Sequence, residues 1–150
     1  MSRSPRAALT LGTAALTPFV WGVVTMWSQP LALATARHVG PRFIGPYIQL
    51  AYGTVVLAFL SGILWGFASR ARAGVAATGY LLSVLPAAWA FLFVGGGPVS
   101  AAIYLGAGFV GVTAIDWLFW QQGLAPGWWM RARLGFTVVV LLSLAPIVLT

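Results

Sequence analysis

The chain has 150 residues, of which 61% are hydrophobic and 6% charged, and its formal net charge is +7. A soluble domain is about half apolar and a quarter charged, so this composition excludes a soluble globule and predicts a protein surrounded by lipid. Because the chain has no Cys, disulfides, thiolate metal sites, iron–sulfur clusters and cysteine nucleophiles are excluded as well.

Five apolar segments have the length of about 20 residues that a helix needs to cross the hydrocarbon core of a bilayer. We therefore predict an all-α fold, a bundle of five transmembrane helices that forms one domain over residues 1–150. The predicted spans are 7–27, 46–69, 74–94, 98–121 and 126–149. The breaks between them contain Gly, Pro, Ser and Arg, which are typical of turns and helix ends.

The first segment follows the sequence MSRSPR, and a basic start before an apolar run is also typical of a signal peptide. Its apolar run is longer than that of a signal peptide, so we interpret it as a retained span. Pro18 within this span and Pro86 within the third each predict a kink. Before the second span comes the longest predicted loop, which carries His38, the only His. One His cannot form a multi-ligand metal site, so we interpret it as a surface residue, with a contact to a lipid headgroup or a partner as the alternative.

Small residues recur four positions apart in two of the spans. They are Gly62 and Gly66 in the second span, and Ala102 with Gly106 and Ala107 with Gly111 in the fourth. This spacing lets helix backbones approach closely in membranes. We predict that these residues pack within the bundle, with docking against another membrane protein as the alternative.

The positive charges, all of them Arg, are distributed unevenly between the two ends of the predicted bundle. Six lie at the end that carries the N-terminus, namely Arg3, Arg6, Arg70, Arg72, Arg131 and Arg133, and only Arg37 and Arg42 lie at the other. The positive-inside rule therefore predicts an N-terminus inside and a C-terminus outside. Because no basic surface interleaved with aromatic residues exists outside the spans, we exclude nucleic acid as a partner.

Asp116 is the only acidic residue. It lies about 7–8 Å along the helix axis from the end of the fourth span, at 1.5 Å per residue, and therefore just beneath the interface. Arg131 and Arg133 open the fifth span, and long Arg side chains can reach inward to a carboxylate. We predict a structural ion pair between Asp116 and these arginines that joins the last two helices. The alternative is a carboxylate that binds a proton or a substrate.

Four Trp residues cluster at the same end, where an aromatic belt is expected to anchor a protein at the membrane interface. They are Trp117, Trp120, Trp128 and Trp129. No nucleophile–base pair is visible, because the only acid and the only His lie at opposite ends. We predict that the chain is not an enzyme and holds no cofactor. The alternative is a lipid or quinone bound between the helices.

Four segments together resemble one family. They are LGTAALTPFVWG (11–22), YGTVVLAFLSGILWG (52–66), GYLLSVLPAAWAFL (79–92), and Asp116 followed by GLAPGWWMRARLGFTVVVLLSL (123–144). In this order they resemble the transmembrane protein 69 family, small five-helix proteins of bacteria and mitochondria that contain a domain of unknown function. The resemblance implies a multi-pass protein of the bacterial inner membrane, cytoplasmic or intracytoplasmic, and by association an energy-transducing membrane.

The small size, the lack of cofactor ligands and the small-residue faces favour a non-catalytic role. We predict an accessory, structural or assembly subunit of a larger inner-membrane complex, most readily in respiratory electron transport and next in photosynthesis. Its partners would be the lipid bilayer and other integral membrane proteins. The alternative function is a small transporter or proton-coupled carrier that uses Asp116.

Overall fold

A computed structural model describes residues 5–150, so Arg3 of the basic N-terminus lies outside the described residues. These residues form α-helices and turns and contain no β-strand. The helices are α1 (Arg6–Ala14), α2 (Thr17–Trp27), α3 (Gln29–His38), α4 (Gly45–Ala68), α5 (Ala73–Phe93), α6 (Pro98–Gln121) and α7 (Trp129–Leu149). A short 3-10 turn, Pro41–Phe43, precedes α4.

Five helical segments are long and apolar enough to cross a membrane. They are Arg6–Trp27, which combines α1 and α2, and the single helices α4, α5, α6 and α7. The predicted all-α architecture with five spans is confirmed. Pro46 and Pro98 lie in the first turns of α4 and α6. Backbone N–H groups there have no partner within the helix, so proline costs no hydrogen bond.

The two internal prolines act differently. The first span is interrupted at Ala15 and Leu16, and Pro18 lies in the first turn of the new helix α2. Pro86 instead lies inside the continuous helix α5. The N–H of the next residue, Ala87, donates to Ser61 Oγ of α4 at 2.8 Å. A neighbouring helix therefore supplies a hydrogen-bond partner beside the proline, as is common in membrane helices.

The connection between the first two spans is more ordered than the predicted loop. It contains the ten-residue helix α3 and the 3-10 turn. Pro30 lies in the first turn of α3, while Arg37 and His38 lie in its last turn, where positive charge suits the helix dipole. A helix this short cannot cross a bilayer, so a search for segments of spanning length passes over it.

The fifth span begins at Trp129 rather than near Pro126. Gly123 has a φ of +74°, and its N–H donates to the Trp120 carbonyl while the N–H of Leu124 donates to the Phe119 carbonyl. These paired bonds are the Schellman ending of α6. The Pro126 carbonyl accepts the N–H of Trp129, so this proline belongs to the turn and not to the helix.

Helix α4 lies at the centre of the bundle and contacts α2, α5, α6 and α7. The side chains of Phe19, Leu57, Leu105 and Phe109 are fully buried around it. The Phe19 ring meets Tyr52, Phe109 and Phe136 edge-on, with ring centroids 5.5, 6.1 and 6.5 Å apart. Because lipid is as apolar as these side chains, this close packing, rather than exclusion from water, holds the spans together.

The order of the helices defines two ends of the bundle. The arginine-rich end carries the start of α1, the α4–α5 turn and the α6–α7 turn. Its arginines within residues 5–150 are Arg6, Arg70, Arg72, Arg131 and Arg133. The α3 end carries α3, the 3-10 turn and the α5–α6 turn, together with Arg37 and Arg42.

Candidate functional site

The Asp116 cluster consists of Asp116 on α6 and of Trp129 and Arg133 on α7. Asp116 is 1% exposed. Arg133 Nε donates to Asp116 Oδ2 at 2.9 Å, and Trp129 Nε1 donates to Asp116 Oδ1 at 2.8 Å. Both carboxylate oxygens are therefore engaged by side chains of the neighbouring helix.

Helix geometry selects the two partners of Asp116. Trp129 and Arg133 are four residues apart and so lie on one face of α7. Arg131 is displaced from each of them by about 200° around the helix axis, at 3.6 residues per turn. It is exposed and forms no ion pair with the residues that the structure describes. The predicted set of Asp116, Arg131 and Arg133 is therefore reduced to Asp116 and Arg133, with Trp129 added.

The cluster balances its charges but leaves one donor free. Charge-assisted hydrogen bonds such as the one from Arg133 to Asp116 are roughly twice as strong as neutral ones. The Arg133 guanidinium also lies over the Phe136 ring, 5.6 Å from its centroid. Its Nη2 is buried without a hydrogen-bond partner in the described part of the chain. Removing either charge would leave the other buried and uncompensated, which is the costly state for an ion pair in a protein interior.

A second polar contact joins the same two helices one turn deeper. Thr113 Oγ1 and Thr137 Oγ1 are 2.7 Å apart, and Thr113 Oγ1 also donates to the Phe109 carbonyl. Thr113 precedes Asp116 by three residues and Thr137 follows Arg133 by four, so the contacts form a ladder along the α6–α7 interface.

The four predicted anchor tryptophans divide into two groups. Trp117 is 43% exposed and Trp120 and Trp128 are partly buried, which is compatible with a position at the membrane interface. Trp129 instead points into the bundle, where it donates to Asp116 and meets the Phe67 ring edge-on at 5.3 Å. Its amphipathic indole is used as a hydrogen-bond donor inside the protein.

Most of the small residues predicted to pack within the bundle face outward. Ala102 is buried, and a Cβ at Gly106 would lie 3.4 Å from Leu141 Cδ2, so this pair does pack internally. The other four are exposed, namely Gly62, Gly66, Ala107 and Gly111. A Cβ added at any of these three glycines would meet no described atom within 4 Å.

Other glycines provide the close helix approaches. A Cβ at Gly53 would collide with Leu105, and one at Gly108 would lie 2.8 Å from Leu57 Cδ1 and 2.9 Å from Trp89 Cδ1. Gly22 lies directly against Gln49. A single Gly opposite a large side chain has no local spacing pattern, so the sequence alone offers no signal for these positions.

Gln49 is a buried polar residue to which the sequence assigns no role. It is 0% exposed, and its Nε2 donates to the carbonyls of Phe19 and Ser143 at 2.9 Å each. The side chain thus joins α2, α4 and α7 near the α3 end. The only available signal was an amide side chain four residues inside a predicted span.

The described residues contain no group of three or more His, Cys, Asp or Glu that could hold a metal ion. His38 is exposed at the end of α3, far along the chain from Asp116. The absence of a cofactor stays a prediction from the sequence.

The five apolar helices of spanning length indicate a multi-pass integral membrane protein. Residues 4–149 match the family described as "Protein of unknown function (DUF3429)", and the chain belongs to that family. Transmembrane protein 69 of Xenopus tropicalis is 32% identical over 145 residues, which cover 94% of this chain and 53% of that protein. The chain thus spans about half the length of this relative. The predicted resemblance is confirmed. No solved structure matches the chain.

Proposed function

We propose that the chain is a non-catalytic accessory or assembly subunit of a larger complex in the bacterial inner membrane. The outward-facing pair Gly62 and Gly66 carries this proposal. A glycine inside a helix costs about 0.5–1 kcal/mol relative to alanine, and small residues four apart serve close helix contact in membranes. No described residue of this chain approaches the pair, so a helix of another protein would use it.

The complex would belong to an electron-transport chain, with respiration as the first candidate and photosynthesis as the second. This assignment rests on the resemblance to the transmembrane protein 69 family of bacteria and mitochondria. The proposed orientation places the arginine-rich end in the cytoplasm, because that end carries five of the arginines within residues 5–150 and the α3 end carries two.

The test of the accessory role uses a tagged chain solubilised gently from its native membrane. We expect the wild type to migrate in a native gel as part of a larger complex and to copurify with a reproducible set of membrane proteins. Changing Gly62 and Gly66 to Leu should reduce the copurified proteins by about tenfold, since closely packed helix contacts lose their fit when small residues are enlarged. The space beside both glycines is open, so the chain itself should still fold.

Gly135→Leu is the matched control, because Gly135 is another exposed helical glycine with open space around it. This variant should keep its partners at wild-type abundance. Recovery of the wild type only as an isolated chain would contradict the proposal, as would full retention of partners by the double variant.

The transporter alternative predicts a different result for Asp116→Asn. A carrier that uses this carboxylate should lose proton-coupled flux in proteoliposomes while its abundance stays normal. The geometry favours the structural interpretation, because both carboxylate oxygens are already hydrogen-bonded and the residue is 1% exposed. We therefore expect the Asn variant to lose abundance instead, and normal abundance with lost flux would favour the carrier.

A further inference from the structure

A groove of about 540 Å³ lies between α2, α3 and the start of α4. Its lining is chiefly apolar and includes Pro18, Trp21, Leu31, Ala34, Phe43 and Ile48. The volume falls within the range of about 300–1,000 Å³ that is usual for sites that bind small molecules. Because α2 and α4 belong to membrane spans, the groove is a surface that lipid chains can reach.

Basic side chains lie beside this groove at the α3 end. His38 lines it directly, and Arg37 is the preceding residue. The Arg42 guanidinium lies 5.1 Å from the centroid of the Phe43 ring, which itself forms part of the lining. Arg37, His38 and Arg42 are all exposed, so the two guanidinium groups and the imidazole are available to a ligand.

No acidic side chain is available to pair with Arg37 or Arg42. The only acidic side chain of the sequence is Asp116, which is buried at the arginine-rich end. The ion pair that the structure describes within residues 5–150 joins it to Arg133. Arg37 and Arg42 form no ion pair within residues 5–150 and can bind an anion from outside the chain.

We propose that this groove binds an anionic phospholipid, with an acyl chain against the apolar lining and the phosphate among Arg37, His38 and Arg42. Arginine suits this ligand because its planar guanidinium binds phosphate oxygens in a bidentate manner. Basic residues beside membrane helices also attract anionic lipids electrostatically. The apolar lining of the groove distinguishes this site from one that binds a soluble phosphate. The inference is independent of the proposed accessory role.

The test is a titration of the delipidated full chain in detergent, followed by native mass spectrometry. Phosphatidylglycerol and phosphatidylcholine with the same acyl chains are compared. We expect phosphatidylglycerol to bind about tenfold or more tightly, because two arginines beside the groove attract an anionic headgroup. The double variant Arg37→Gln/Arg42→Gln should lose this preference. The matched control Arg70→Gln/Arg72→Gln removes two exposed arginines from the other end and should retain it.

The contribution of the apolar groove to lipid binding is tested with two further variants. Ala34→Trp places a large ring in the groove and should weaken binding of both lipids, whereas Leu33→Trp changes an exposed neighbour on α3 that does not line the groove. Equal affinity for the two lipids, or equal loss in both double Arg variants, would overturn the proposal. If glycerol phosphate, at the concentration used for the lipid, displaced phosphatidylglycerol completely, the proposed role of the acyl chain would be overturned.

Discussion

Replacement of Asp116 by Ala is expected to lower the free energy of unfolding by about 3–5 kcal/mol, the usual cost of removing one partner from a buried ion pair. Arg133, 4% exposed, would keep its charge without an anion, and Trp129 would lose the acceptor of its indole N–H. The measurement is denaturant unfolding of the purified chain in mixed micelles, monitored by tryptophan fluorescence and circular dichroism.

Arg131→Met is the matched control, because Arg131 lies two residues from Arg133 but is exposed. It should change stability by less than about 0.5 kcal/mol, as surface substitutions usually do. The double variant Asp116→Leu/Arg133→Met should recover most of the loss, since buried pairs are often replaceable by apolar residues of similar volume. A cost for Asp116→Ala no larger than that for Arg131→Met would contradict a structural role for the pair.

Gly22→Ala is expected to destabilise the chain by about 1–3 kcal/mol, the usual cost of inserting a methyl group into a filled core. The new Cβ would lie 2.7 Å from Gln49 Cδ and 2.8 Å from the Gly45 carbonyl oxygen. Gln49 cannot move aside freely, because its amide is held by the Phe19 and Ser143 carbonyls. The midpoint of thermal unfolding in detergent provides the measurement.

Gly111→Ala tests whether the close approach at Gly22 causes this cost. Gly111 is also helical, but the space beside it is open. Alanine there should be neutral or should stabilise the isolated chain by up to about 1 kcal/mol, because alanine favours the helix over glycine. Equal destabilisation by both substitutions would show that the contact with Gln49 is not the cause.

The spans could be predicted because the bilayer imposes a length and an apolar composition that are visible in the chain. The helices α4 to α7 begin and end within about three residues of the predicted limits, and the difference at Pro126 comes from the turn that follows Gly123. Helix α3 was missed because its ten residues are too few to span a bilayer. It is stabilised by local features, such as the proline in its first turn. The break before Pro18 is visible in the sequence, but its form, a new helix rather than a bend, is not.

The site could be predicted only at the level of residue type. A single acid near the end of one span, with arginines at the start of the next, indicated the pair. Whether Arg133 or Arg131 faces Asp116 depends on how α7 is rotated about its axis. That rotation was not predictable, because the helix begins three residues later than predicted. The same rotation of α7 places Trp129 beside Asp116. The contacts of Gly22, Gly53 and Gly108 depend on which helices are neighbours, and no local pattern contains that information.

The Asp116–Arg133 pair also has a consequence for biosynthesis. The two residues are 17 positions apart and lie on consecutive helices. A lone Asp at the centre of an inserting helix costs about 2.5–3.5 kcal/mol on translocon scales, and less near the interface. Helix α6 alone would carry this charge into lipid, whereas an α6–α7 hairpin enters with the charge already neutralised. Ribosome stalling that delays α7 should therefore lower the efficiency with which α6 is inserted.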